Sequence, residues 1–271
     1  MKKTLMAAAV AGALAFSGVA SAATVDGITI NSGNFLEIGT LWEGTLASNG
    51  TAPVTGVGDE LVGVGVIDVI KDGGGNVVWS SGNNGRYLAF YFEDYKAQAI
   101  NNLGAPTPIN ILFSGGVSRF YALGSAFVPT GNFAADVATI SAGNLWMETL
   151  GGKSRDCNAA DNCAGGVGTD VTLESVILSG TLGNIGSGVG NGFLNVTGNG
   201  AADWVVDTNA LPGGHDMALG SSFNSAASTG GYAASGSIDI RGLAVPEPAS
   251  LALFGIGLFG LGALRRRNSK A

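Results

Sequence analysis

The hydrophobic pattern divides the chain into two apolar ends and a long middle part. The middle part shows period-two alternation or short apolar runs, and almost none of it has the 3.6-residue period of an amphipathic helix. Gly-rich, polar stretches separate these runs, as is typical of turns. The pattern predicts an all-β protein of about ten short antiparallel strands, arranged as a single β-sandwich or jelly roll over residues 23–244.

Residues 60–71 form the most apolar of these strands, with Val, Leu or Ile on both faces, so we expect it to be central. Residues 72–76 predict a hairpin turn, because glycine reaches positive φ without steric cost. Residues 109–113 and 117–123 flank Ser114-Gly115-Gly116 and predict another hairpin. Further strands are expected at residues 77–79, 144–150, 171–178, 193–197, 203–208 and 237–241.

Residues 87–96 (YLAFYFEDYK) show the clearest alternation. The pattern predicts that Phe90 and Phe92 enter the core. The opposite face carries three tyrosines, Tyr87, Tyr91 and Tyr95. A row of tyrosines can stack on sugar rings, since each ring has an apolar face and a polar tip. The alternative is that they pack under a loop or against side chains of a neighbouring strand.

The N-terminal residues 1–22 predict a secretory signal peptide. Lys2 and Lys3 precede an apolar run over residues 5–16, and Ala20-Ser21-Ala22 offers the small residues that signal peptidase reads. We expect export by the Sec machinery and cleavage before Ala23. A transmembrane helix is the alternative, but the apolar run is short.

The C-terminal apolar segment, residues 249–264, has no charged side chain and is suited to a helix in lipid. Its length of about 24 Å is somewhat short of a hydrocarbon core of roughly 30 Å. It follows Val245, Pro246, Glu247 and Pro248, and it precedes Arg265, Arg266 and Arg267. The arginines are expected to stay cytoplasmic, which places the preceding chain across the membrane.

The order of these three parts, VPEPASLALFGIGLFGLGALRRR, resembles the PEP-CTERM sorting signal of bacterial proteins handled by exosortase, a membrane protease-transpeptidase. The resemblance is confined to residues 245–271. It implies a Gram-negative, biofilm-forming host and exosortase as a partner. It also implies an exported protein held in the inner membrane and then placed at the cell surface or in the extracellular matrix. A plain membrane anchor is the alternative.

The composition and the net charge argue against one class of partner, nucleic acid. Glycine accounts for 46 of 271 residues and charged residues for 12%. Residues 23–245 hold seven Lys or Arg and 19 Asp or Glu, a formal charge of −12. Such a surface repels phosphate backbones, so nucleic acid is not an expected partner.

Two cysteines, Cys157 and Cys163, predict a disulfide that closes a small loop in an exported protein. A zinc site needs more Cys or His ligands than the chain offers. No cofactor is expected, although Asp156, Asp161 and Asp170 lie in loops of the kind that bind calcium.

Few residues suggest catalysis. His215 is the single histidine and is expected to be exposed in a turn-rich segment. Glu93, Asp94 and Glu148 are candidates for the paired carboxylates of glycoside hydrolysis, but acidic residues on sheets are usually just solvated. We therefore expect a non-enzymatic matrix or adhesive protein of biofilms or flocs. The alternatives are a module that binds exopolysaccharide and a secreted glycan hydrolase.

Overall fold

The structure is a computed structural model that describes residues 22–102, 108–225 and 230–245. The predicted signal peptide, apart from Ala22, and the predicted membrane segment lie outside the described residues. Among the described residues, no helix has the length and apolar character needed to cross a membrane.

Strands dominate the described part of the chain. They are β1 (Ala22–Val25), β2 (Ile28–Asn31), β3 (Gly33–Thr45), β4 (Glu60–Asp72), β5 (Val77–Ser80), β6 (Tyr87–Asn101), β7 (Ile109–Leu123), β8 (Asn144–Gly152), β9 (Arg155–Asp156), β10 (Asp170–Val171), β11 (Leu173–Thr181), β12 (Asn184–Val196), β13 (Met217–Asn224) and β14 (Ala234–Ala244). Two helices accompany them, α1 (Phe133–Ile140) and α2 (Asp203–Val206), and 3₁₀ turns occur at Leu46–Ser48 and Asn83–Gly85.

Eight strands form a closed antiparallel barrel in the order β7-β11-β12-β13-β14-β3-β4-β6, because β6 pairs with β7 and completes the ring. The all-β class is confirmed, whereas the predicted β-sandwich or jelly roll is not. Several strands are 13 to 15 residues long, rather than short as predicted. Long strands that twist and carry bulges can curl until the two edges of one sheet meet.

The strand β7 changes partner along its length. Its first half pairs with β11 and its second half pairs with β8, which also pairs with the end of β12. The change occurs at Gly115 and Gly116, which have φ of 74° and 102°. The predicted hairpin at this pair is therefore wrong: the glycines bend one continuous strand instead of reversing the chain.

The barrel interior is filled by aromatic and aliphatic side chains, including Phe90 and Phe92 as predicted. Their rings lie over two glycines of β4. A Cβ atom added to Gly65 would lie 2.2 Å from Phe90 Cζ, and one added to Gly63 would lie 2.4 Å from Phe92 Cζ. These glycines leave room for the phenylalanines in the closely packed core.

A second apolar cluster covers the outside of β4, which explains the two apolar faces of that strand. Val62 and Val64 are buried in this cluster together with Phe133 of α1. The Asn132 side chain caps α1 by accepting a hydrogen bond from the amide of Ala135. The helix thus supplies an outer layer over one side of the barrel.

The predicted strand at residues 203–208 is wrong, because residues 203–206 form the short helix α2. The Asp203 side chain accepts a 2.6 Å hydrogen bond from the amide of Gly200, a local bond that favours a helical turn. The amide of Ala202 donates to the Trp146 carbonyl of β8 at 2.7 Å. These bonds fix α2 beside the barrel.

Candidate functional site

The barrel ends where the predicted sorting tail begins. Ala244 closes β14 and is 2% exposed. The amide of the next residue, Val245, donates a 2.8 Å hydrogen bond to the Val205 carbonyl of α2. Among the predicted sorting residues only Val245 is described; Pro246, Glu247, Pro248, Arg265, Arg266 and Arg267 lie outside the described residues. The folded domain therefore reaches the tail without an intervening linker.

The helix α2 packs on the core of the barrel beside this junction. Val205 and Val206 are buried in the main core, whereas the residue before them, Trp204, is 43% exposed. One carboxyl oxygen of Asp203 is buried without a hydrogen-bond partner in the described structure, and burial raises the pKa of that group. The junction thus combines a fixed backbone with one outward-facing indole ring.

Both ends of the described chain lie at the same end of the barrel. Ala22 of β1 pairs with Asn31 of β2, and β2 leads directly into β3. Gly33, the first residue of β3, pairs with Ala244, the last residue of β14. We call this the tail end of the barrel. The predicted signal peptide and the predicted membrane segment are consequently attached to one end of the domain.

Three carboxylates predicted as catalytic candidates lie on or near the outer face of β6, β7 and β8. Arg119 donates to Glu93 and to Glu148, each over 2.6 Å, and its guanidinium lies 5.7 Å from the centre of the Tyr91 ring. Asp94 has a φ of 64°, and its amide hydrogen-bonds the Glu60 side chain.

This arrangement favours the ionised form of Glu148. A hydrogen bond from the side-chain amide of Asn199 lowers the pKa of the Glu148 carboxyl most strongly. Hydrogen bonds from Arg119 and Thr197 lower this pKa further. A general acid has to hold a proton near neutral pH. The cluster is therefore better suited to joining three strands and the segment after β12 than to protonating a leaving group.

The predicted row of three tyrosines is not present. Tyr91 is 7% exposed and stacks on Tyr121 in the outer cluster, while Tyr95 is 3% exposed and lies in the barrel core. Asp94, which has a positive φ, forms a β-bulge between Phe92 and Tyr95. Because the bulge adds one residue, Tyr95 points to the same inner face as Phe92 instead of to the outer face. Only Tyr87 is partly exposed, so the three rings do not form a platform for sugar stacking.

The predicted disulfide between Cys157 and Cys163 is confirmed. It packs on the outside of β6 and β7, next to Ala99 and Leu112.

The three aspartates considered for calcium are instead bound to basic side chains. Lys153 contacts Asp156 at 2.7 Å and Asp170 at 2.9 Å, and Arg155 contacts Asp161 at 2.6 Å. Within the described ranges, one group of residues has spacing compatible with a metal, Cys157, Asp161 and Cys163, and its sulfurs form the disulfide. A disulfide offers no thiolate ligand.

Two glutamates that the sequence reasoning missed point into the barrel from β3. Glu37 is fully buried, and neither of its carboxyl oxygens has a hydrogen-bond partner in the described structure. Burial raises the pKa of Glu37 to about 8 and that of Glu43 to about 7. Period two places both glutamates on the same face as Phe35 and Leu41, so the sequence did contain a signal for them.

Glu43 lines two small cavities of about 30 and 40 Å³. Both also border Leu61 and Ser175, and the larger one borders Tyr95 and Ser118. A water molecule needs roughly 10–15 Å³ of such space. Each cavity therefore has room for a few water molecules beside the Glu43 side chain.

His215 is buried, which corrects the prediction of an exposed loop residue. Its ring stacks on Phe193 with 4.6 Å between centres. Nδ1 lies 2.8 Å from the Asn195 amide oxygen, and Nε2 lies 2.9 Å from the Lys153 carbonyl oxygen. The histidine thus links the segment before β13 to the ends of β8 and β12.

The chain thus joins a folded all-β domain directly to the predicted sorting tail. Residues 244–267 match the family model of the PEP-CTERM protein-sorting motif, so the chain carries this motif at its C-terminal end. The motif implies exosortase as the processing partner, with export, membrane-anchored sorting and surface localisation. No curated protein and no solved structure matches the chain.

Proposed function

We propose that the protein is a non-enzymatic structural or adhesive component of the extracellular matrix of a biofilm-forming Gram-negative bacterium. The observation that carries this proposal is the position of the sorting motif, which begins at Ala244, the last residue of β14. Processing near Pro246, Glu247 and Pro248 would therefore deliver the whole barrel.

The outer surface supports a role in a hydrated matrix. Serine hydroxyls form pairs across neighbouring strands, Ser179 with Ser187 at 2.8 Å and Ser222 with Ser237 at 2.9 Å. Hydroxyl groups both donate and accept hydrogen bonds, as sugar hydroxyls do. Closure of the sheet pairs both edges of each of the eight barrel strands, so these strands offer no free edge to a second copy of the chain.

The structure gives less support to exopolysaccharide binding than the sequence pattern does. Burial of Tyr91 and Tyr95 removes the stacking platform on which it depended. A hydrogen-bonding surface remains, but it offers broad contact with polymer rather than a defined sugar site. The hydrolase alternative is weakened in the same way, because Glu93 and Glu148 share one arginine.

Sorting is tested by substitution in the motif. Glu247→Ala, or Pro246→Ala combined with Pro248→Ala, is expected to leave the protein in the membrane fraction of its native host. Intact-mass spectrometry then reads both chain ends. The control is Asp239→Ala on β14, which leaves the motif intact. Normal release of the Glu247→Ala protein would contradict exosortase-dependent delivery.

The matrix role is tested separately. Deletion of the gene is expected to reduce cell aggregation, and the wild-type protein is expected to restore it. Restoration by a doubly substituted protein, Ser222→Ala with Ser237→Ala, should be weaker if hydroxyl pairs contact the matrix. Unchanged aggregation on deletion would remove the adhesive role while leaving the sorting result intact.

A further inference from the structure

The tail end of the barrel is held close to the membrane before processing. Val245 is fixed to α2, and the apolar segment begins four residues later at Ala249. Four residues of fully extended chain span at most about 14 Å. Roughly half of that distance is taken up by the headgroup layer, which is about 5–8 Å thick on each side. The surface around α2 is therefore brought to the headgroups.

This surface carries an exposed tryptophan. All four tryptophans lie in the described part of the chain, and Trp79 and Trp146 are buried in the core. Trp42 is partly buried on β3, and Trp204 on α2 is 43% exposed. An indole combines a large apolar ring with one hydrogen-bond donor, which is why tryptophan accumulates at membrane interfaces.

We propose that Trp204 of α2 inserts into the lipid headgroup region and seats the tail end of the barrel on the bilayer while the chain is membrane-anchored. The contact would hold the sorting motif in a fixed orientation above the membrane. The proposal rests on the membrane-held stage of the proposed function. The hydrogen bond from Val245 to Val205 couples the seated helix to the first residue of the tail.

Lipid is the occupant that the chemistry of this surface favours. Val77, at the start of β5, is 54% exposed at the same end, next to the end of β4. The residue that follows α2, Asp207, is exposed and acidic, so α2 itself offers no cation to a lipid phosphate. The same end of the barrel also carries Lys71 and Arg241, with Asp72 beside them. The proposed contact is made by the neutral indole with phosphatidylcholine, which has no net charge, so it should change little with salt.

The test uses the chain from Ala23 to Ala271 reconstituted in phosphatidylcholine vesicles. Lipids brominated near the headgroup end of the acyl chain quench tryptophans that enter the interface. We expect a loss of emission in brominated relative to unbrominated vesicles, and we expect Trp204→Phe to abolish that loss. The same loss should occur at low and high salt.

The matched control moves the indole to the other end of the barrel. Leu46 lies in the 3₁₀ turn after β3 and is 45% exposed, close to the exposure of Trp204. A protein with Leu46→Trp and Trp204→Phe is expected to show no bromolipid quenching. Equal quenching of this protein and the wild type would overturn the proposal.

The readouts separate lipid from a protein partner. If bromolipids do not quench Trp204 but Trp204→Phe slows tail removal in cells, the contact belongs to exosortase and the lipid assignment fails. Absence of quenching with normal processing of both proteins also overturns the proposal, while the Glu247→Ala experiment still tests sorting independently. Circular dichroism of Trp204→Phe checks that the exposed substitution leaves the fold unchanged.

Discussion

The two faces of the barrel treat carboxyl groups in opposite ways. Inside, Glu37 has no hydrogen-bond partner among the described residues, and burial raises its pKa to about 8. Outside, Glu148 accepts bonds from Asn199, Arg119 and Thr197, and its pKa falls below the ordinary value. The same amino acid type is therefore neutral on one face and charged on the other because of its surroundings, not its chemistry.

The two faces consequently contribute opposite pH dependences to stability. An inner glutamate keeps its proton in the folded state and loses it in the unfolded state above an ordinary pKa of 4.5. Its contribution is greatest below that value and is lost as the pH rises to the folded-state pKa. An outer glutamate with a lowered pKa stabilises the fold above pH 4.5, the ordinary pKa of the group. This stabilisation is lost as the pH falls through the lower folded-state pKa.

The largest expected effect comes from Glu37→Gln. The pKa of Glu37 rises from 4.5 to about 8, or about 3.5 units. At about 1.4 kcal/mol per unit, ionisation costs the fold up to roughly 5 kcal/mol at pH 8. A glutamine has nearly the same shape and stays neutral. We expect the free energy of unfolding of the variant to exceed that of the wild type at pH 8 and to be similar to it at about pH 4. Denaturant unfolding measures both values.

The control for this prediction is Asp239→Asn, a side chain at the surface of β14. It should leave the slope of stability against pH between 4.5 and 8 almost unchanged. If Glu37→Gln does not reduce the slope of stability against pH seen in the wild type, then Glu37 ionises in the folded barrel without a cost in free energy.

Glu43→Gln is expected to act in the same direction but more weakly. The pKa of Glu43 is raised from 4.5 to about 7, which corresponds to at most about 3 kcal/mol. The adjoining cavities have room for water, and hydration of the carboxylate there would reduce that figure further. The measurement is again denaturant unfolding, at about pH 5 and pH 8. A larger gain than that of Glu37→Gln would mean that the cavities beside Glu43 are dry.

Much of the barrel was predictable because strand type depends on local alternation. The face of β6 with Phe90 and Phe92 and the hairpin between β4 and β5 follow from period two and from glycine-rich turns. The sorting tail was predictable for a different reason, since its three parts must occur in one order. Both signals are contained in short stretches of sequence.

The rest depends on partners that are distant in the chain. Gly115 and Gly116 have the composition of a turn, and only the pairing of β7 with both β11 and β8 shows that they bend a continuous strand. A single bulge at Asp94 places Tyr95 inside the barrel, although period two counted from Tyr87 places it outside. Closure itself has no local signature, because it is decided by which edges meet.

The smallest expected effect tests the outer face. Arg119→Met keeps an unbranched apolar stem but leaves Glu93 and Glu148 without their shared cation. Because these side chains are partly exposed, we expect a loss of about 1 kcal/mol at neutral pH. The loss should shrink as the pH falls through the lowered folded-state pKa of the Glu148 carboxyl.

A double-mutant cycle with Glu148→Gln isolates the contribution of the Arg119–Glu148 pair, since the two residues are directly paired across β7 and β8. The coupling energy should shrink as salt is added, whereas the effect of Glu37→Gln should change little, because salt screens a fully buried group much less than a partly exposed pair. A coupling that persists in acid would show that Arg119 acts through its packing on Tyr91 rather than through charge.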